Sequence, residues 1–280
     1  VNTAFVEAVL VAALRGASEV LPISSLGQME ALRIVFGGPL SASGAVHFAV
    51  VGALAIALRR RLRVVLGGGL RAIARPTLIR TSPGAYGAAI IVLASLASGI
   101  VRVALGARAG SPTTVGLGLF LTGIALASTS LTKRGTLDGP AHGGAIVVGL
   151  AHGLGVLPGG SSVAGALVVL LWLGVRGARA VELALILTMV PLIAAIIRSP
   201  LGASDSPVSL ELLASTLAAF AGALVAVAAL RALAARSRVA WLAAWLLPMG
   251  AATLFYGRAL IHTATCPTTT DRLTTTEEQV

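Results

Sequence analysis

Acidic side chains are scarce in this sequence: ten Asp and Glu stand against 21 Lys and Arg in 280 residues, for a net charge of +11. Charged residues of all kinds make up 11%, less than half of the roughly 25% usual in a soluble domain. Aromatics are scarcer still, at 4%. That shortage argues against a nucleic-acid surface, because the arginines sit in short gaps between apolar runs with few rings beside them to stack on bases. A single cysteine, Cys266, excludes an internal disulfide framework. No basic segment precedes the first apolar run, so no cleavable signal peptide is expected.

What the sequence does hold is apolar mass: 56% hydrophobic residues and a mean hydropathy of +0.95. Most of it is Ala, Val, Leu, Ile and Gly, and small residues let helices approach closely in lipid. These features predict an all-α membrane protein. A helix crossing the bilayer needs about 20 apolar residues, and 41–58, 85–105, 112–132, 179–197, 208–230 and 239–256 supply such stretches.

Two further apolar regions are interrupted. Residues 3–14 lead into Glu19-Val20-Leu21-Pro22-Ile23-Ser24-Ser25 and continue to about 36, while 143–156 lead into Leu157-Pro158-Gly159-Gly160-Ser161-Ser162 and continue to about 174. Proline removes a backbone donor and disfavours helix in the residue before it. Ser24 and Ser161 are then placed to cap the second arm of each pair. Both regions are expected to be re-entrant hairpins. Pro22 and Pro158 lie 136 residues apart, so the chain reads as two inverted repeats, each a hairpin plus three transmembrane helices. The boundaries expected are 1–135, 136–258 and a polar, disordered tail over 259–280. Irregular backbone at membrane depth survives only where protein or a polar cavity satisfies it, so a polar pocket is expected between the breaks.

Charge asymmetry orients this plan. With the first hairpin opening outward, the gaps at 59–84, 133–142, 175–179 and 231–238 carry fourteen basic residues, against five on the opposite face: Arg102, Arg108, Arg198, Arg258 and Arg272. The positive-inside rule then predicts both termini outside the cytoplasm, and the expected location is the plasma membrane.

Polar residues within membrane segments are functional candidates, and the first break gathers Arg15, Ser18, Glu19, Ser24, Ser25, Gln28 and Glu30. Arg15 and Glu19 are one helical turn apart and share a face, as a structural ion pair or as part of a ligand site. Paired serines at a helix start offer hydroxyls and backbone donors to a phosphate. Gly159, Gly160, Ser161 and Ser162 repeat that arrangement, the glycines leaving N–H groups open to an anion. His47, His142 and His152 show no metal-ligand spacing, and His152, six residues before Pro158, reads as a hydrogen-bonded structural residue ahead of one lining the pocket.

At these motifs the chain resembles the undecaprenyl-diphosphate phosphatase (bacitracin-resistance) family. The family's first motif, (E/Q)-x-x-x-E-F-L-P-(I/V)-S-S-x-G-H, is matched by Arg15 to Gln28, and its second, P-G-x-S-R-S-G, by Pro158 to Ala164. Phe48 to Leu54, before the Arg59–Arg61 cluster, resembles a third family segment. The resemblance implies an integral-membrane enzyme that hydrolyses a polyprenyl diphosphate to the monophosphate, with Glu19, Ser25 and Arg15 as catalytic residues. Ser24, Gln28, Gly159, Gly160, Ser161 and Ser162 would bind substrate, and Glu19 and Glu30 would hold a divalent metal, Mg2+ or Ca2+. Its partners would be the lipid diphosphate or phosphate, the bilayer and a second copy in a homodimer. This sequence departs from the motifs at Arg15, at Gln28 in place of His, at Ser162 in place of Arg and at Val163 in place of Ser. Arg15 is one candidate to replace the missing guanidinium. A non-hydrolytic polyprenyl-phosphate binding protein or flippase on the same fold stays open beside the enzyme.

Overall fold

The computed structural model describes residues 3–36, 44–106, 110–198 and 209–264. In chain order the helices are α1 (Thr3–Val20), α2 (Ser25–Phe36), α3 (Gly44–Ala57), α4 (Arg59–Ala74), the single turn α5 (Leu78–Thr81), α6 (Pro83–Leu105), α7 (Pro112–Ser128), α8 (His142–Leu154), α9 (Ser162–Trp172), α10 (Gly177–Arg198), α11 (Leu210–Ala235) and α12 (Ala243–Ala264). Among the described residues there is no β-strand, only an isolated bridge between Leu137 and Val175. Both interrupted regions form helix–break–helix units, α1–α2 and α8–α9. Because α12 runs to Ala264, the first residues of the expected tail are helical. The rest of that tail, with Cys266 and Arg272, lies outside the described residues, as does Arg108.

Local chemistry explains where the helices begin. Pro83 and Pro112 open α6 and α7 at positions where a missing N–H costs nothing. Ser111 and Ser209 cap α7 and α11 by accepting from Thr114 N at 3.2 Å and Leu212 N at 3.1 Å. Among the described residues five stretches, 83–105, 112–131, 177–198, 210–235 and 239–256, are long and apolar enough to cross a membrane. The apolar side chains they turn outward, such as Val103 at 85% exposure and Phe255 at 76%, suit a lipid surrounding rather than water.

The sixth expected span differs. Its helix, α3, has only 14 residues, about 21 Å at 1.5 Å per residue. The expected gap at 59–84 is largely helical, as α4 and α5. Arg59, Arg60, Arg63 and Arg71 are too many charges for α4 to cross a bilayer, yet Val65 and Gly68 give it a buried edge packed on α6. It is an amphipathic helix laid against the bundle.

The packing is crossed between the halves of the chain. α1 lies on α11, α8 on α6, α7 on α12, and α3 on both α10 and α11. Leu54, Leu119, Leu126, Leu167, Leu185 and Leu230 fill the centre. At its base the α8–α9 hairpin is closed by Leu137 N donating to Gly174 O at 3.1 Å and Arg176 N to Leu137 O at 2.9 Å. Asp138 meets Arg176 and Arg179 at the same point. The Arg176 hydrogen bond holds the Asp138 carboxyl below the usual carboxylate range.

The α1–α11 contact is the closest test of this arrangement. A Cβ on Gly16 would lie 2.1 Å from the Ala219 carbonyl oxygen, and one on Gly222 2.2 Å from that of Ala13. Gly16→Val is therefore expected to cost about 1–3 kcal/mol through overpacking, lowering the thermal midpoint of the purified protein in detergent. An unchanged midpoint would contradict the contact.

Candidate functional site

Polar groups converge where the two breaks meet the bundle. In the first break Leu21 N still donates to Ala17 O at 2.9 Å, closing α1, and Ile23 N turns back to Leu21 O at 2.8 Å. Ser24 then adopts φ +62, a left-handed conformation costly for a residue with a side chain. It begins α2 by accepting from Gly27 N on its hydroxyl at 3.2 Å and from Gln28 N on its carbonyl at 3.0 Å. In the second break Ser161 caps α9 in the same manner, accepting from Ala164 N at 3.2 Å.

The serine pairs thus divide their work. The first of each pair caps a helix, and the second meets a charge. Ser25 Oγ donates to Glu19 Oε1 at 2.8 Å. Ser162 Oγ accepts from Arg102 Nη2 at 2.5 Å. The guanidinium at Ser162 therefore comes from α6, and Arg15 instead interacts electrostatically with Glu19 along α1. Glu19 also acts on Arg102 through its charge, and His47 Nε2 of α3 stands 4.0 Å from Glu19 Oε1.

Helix α7 joins the two breaks. Leu119 packs on Gly27 of the first, and the backbone from Val115 to Leu119 lies against Gly159 of the second. Thr122 Oγ1 donates to Gly118 O at 2.7 Å and reaches Gly159 O at 3.5 Å. Gly159 sits at φ +73, and a Cβ there would come 2.1 Å from Val115 O, so both the turn and the close approach require glycine. Gly160 differs from expectation: its N–H donates to Leu157 O at 2.8 Å and is not open to an anion, because the turn that Pro158 starts uses it.

The remaining candidates are held by protein. Gln28 is buried, its amide donating to Ile23 O at 3.1 Å and accepting from Trp245 Nε1 at 3.3 Å, so it ties the first break to α12. His152 is fully buried between Ser98 Oγ at 2.8 Å and Thr188 Oγ1 at 3.3 Å, a structural histidine as expected. Glu30 is half-buried on α2. A cavity of about 520 Å³ lies at the far end of the second hairpin, lined by Lys133, Arg134 and Trp172 among others, and belongs to the hairpin base rather than to the breaks.

Sequence reasoning missed Arg102 and His47 as members of this group. Arg102 counts there only as a surface charge, and His47 as a lone histidine. One signal existed for Arg102, its place in the last turn of a long apolar segment, where the side chain can fold back on the bundle.

The arrangement can bind an anion. One carboxylate, Glu19, acts electrostatically on Arg15 and Arg102, with His47 beside it, in a largely apolar surrounding where ionic interactions are strong. Among the described residues no group of three or more His, Cys, Asp and Glu could hold a metal ion. Gly159→Ala is expected to push the second break off α7, lowering thermal stability by about 2 kcal/mol or more and abolishing any phosphate-ligand binding. A variant as stable as wild type would contradict the geometry described for Gly159.

The sequence matches the family described as bacitracin resistance protein BacA over residues 8–252. It is also 28% identical over 273 residues to an undecaprenyl-diphosphatase of Desulfatibacillum aliphaticivorans, an alignment covering 89% of this chain and 98% of that protein. Both motifs, both breaks and four of the five membrane-length stretches fall in the matched region, and the fifth, 239–256, begins inside it and ends just beyond. The chain is accordingly a multi-pass membrane protein and belongs to the bacitracin resistance protein BacA family.

Proposed function

We propose that this protein hydrolyses a polyprenyl diphosphate of the undecaprenyl type to its monophosphate. The observation that carries this reading is Glu19, hydrogen-bonded by Ser25, with His47 4.0 Å away, and in electrostatic reach of Arg15 and of the Arg102 that meets the second serine-led helix start. The likeness to an undecaprenyl-diphosphatase supports the substrate class. Water attacks the terminal phosphorus, the bridging P–O bond breaks, and inorganic phosphate leaves the lipid monophosphate behind. Glu19 orients that water and accepts its proton, while Ser25 fixes the carboxylate. Arg15 balances the Glu19 charge as the diphosphate enters. Ser24, Gln28, Gly159, Gly160 and Ser161 act by holding the shape of the breaks.

The donor set suits a divalent ion carried in by substrate more than one caged by protein. Mg2+ is commonly held by one or two carboxylates plus phosphate oxygens, here Glu19 with Glu30 as the second. When bound, such an ion neutralises the diphosphate and draws electrons from phosphorus.

We further propose that the two halves form inverted repeats. The crossed packing of α1 on α11 and α8 on α6 is compatible with that plan. Charge asymmetry favours arginine-rich gaps in the cytoplasm and both termini outside, in what we take to be the plasma membrane. A homodimer is compatible with the exposed apolar helix faces.

The test is phosphate release by purified protein in detergent with polyprenyl diphosphate and Mg2+. Glu19→Gln should lower the rate by about 100-fold or more, the scale of losing a general base, and chelation should do likewise. A wild type that binds the lipid without releasing phosphate would replace the hydrolase with a carrier.

A further inference from the structure

Arg102 is half-buried in the last turn of α6, yet it turns onto the second break. Its hydrogen-bond partner there is the neutral Ser162 hydroxyl. Its Nε is buried without a hydrogen-bond partner among the described residues. No carboxylate stands within salt-bridge distance of it among those residues, and the like charge of Arg198 acts on it from the end of α10. A guanidinium carries five N–H donors in a fork that matches two phosphate oxygens. Leaving that fork on one hydroxyl in an apolar surrounding is costly unless a ligand completes it.

We propose that Arg102 is the residue of this chain that grips the diphosphate, standing in for the arginine that its second motif lacks at Ser162. The inference rests on the diphosphate reading above and adds which residue recognises that group. Ser162 is where an arginine would start in the motif, and the Arg102 guanidinium ends at that hydroxyl. The charge has changed helices and reaches the same turn of the second break. Both the Glu19 carboxylate and the Arg198 guanidinium act on Arg102 electrostatically. A diphosphate presents more charge and more oxygens to that fork than a monophosphate. Arg102 therefore discriminates substrate from product.

A purely structural role is the competing account: Arg102 would latch α6 to α9 and complement the negative end of the α6 dipole. The two accounts separate in binding. The probe is a methylenediphosphonate analogue of the polyprenyl diphosphate, which cannot be hydrolysed, measured beside the polyprenyl monophosphate on protein in detergent, with thermal midpoints recorded in parallel. Arg102→Ala should weaken the diphosphonate by about 10- to 100-fold, the range of one charge-assisted hydrogen-bonded pair, and the monophosphate less. Adding Ser162→Arg to that variant returns a guanidinium to the same break and should recover most of the lost affinity, which a latch would not. Equal diphosphonate affinity in Arg102→Ala, or no recovery in a double variant with a wild-type midpoint, overturns the proposal. Should Arg102→Ala not survive purification, Arg102→Lys answers instead: the proposal expects loss of preference for the diphosphonate over the monophosphate, and an unchanged preference refutes it. Binding of the analogue by a wild type that releases no phosphate would sink the hydrolase and leave this inference standing. Normal hydrolysis with and without Arg102 would do the reverse, and a wild type that binds neither lipid overturns both.

Discussion

A charged group inside an apolar bundle has to be answered by another, and the Glu19 carboxylate is the group around which this molecule is arranged. Ser25 donates to it, Arg15 shares its helix face, His47 approaches from α3, and Arg102 acts on it from α6. The Ser25 contact would not form if α1 continued as a straight helix past Val20. Pro22 stops it, Ser24 reverses the backbone at φ +62, and α2 restarts with Ser25 facing back toward Glu19. The strained residue and the placement of the carboxylate have one cause.

The second break answers the same constraint with different chemistry. Its backbone is satisfied by a tight turn from Leu154 to Gly160 and by the cap at Ser161, which leaves Ser162 to meet a cation. Because α7 touches Gly27 on one break and Gly159 on the other, the breaks cannot move independently. Small side chains make this possible: the close approaches of α1 to α11 and of α7 to Gly159 leave no room for a Cβ. The low aromatic content that first seemed only a deficit is thus part of the packing.

Much of this was legible in the sequence. The breaks, their proline and serine signals, the capping by Ser24 and Ser161 and the family all follow from local pattern, because turn and cap chemistry is local. The position of Arg102 is not local. It reaches a serine 60 residues later through the packing of α6 on α8, and no spacing rule encodes that. The loss of the motif arginine at Ser162 therefore looked like a lost function, when a guanidinium arrives there from another helix. His47 and the Gln28–Trp245 link escaped for the same reason. The helix α4 escaped for a different one: its arginines read as a topology signal, and charge counting ignored the apolar residues that give it a buried edge.

The central claim is attack of water on the terminal phosphorus of a lipid diphosphate, at Glu19. A single turnover in 18O-enriched water, followed by mass analysis of both products, tests it most directly. The account predicts one heavy oxygen in the inorganic phosphate and none in the polyprenyl monophosphate. Label in the lipid product, or an intact diphosphate after prolonged incubation, would contradict it.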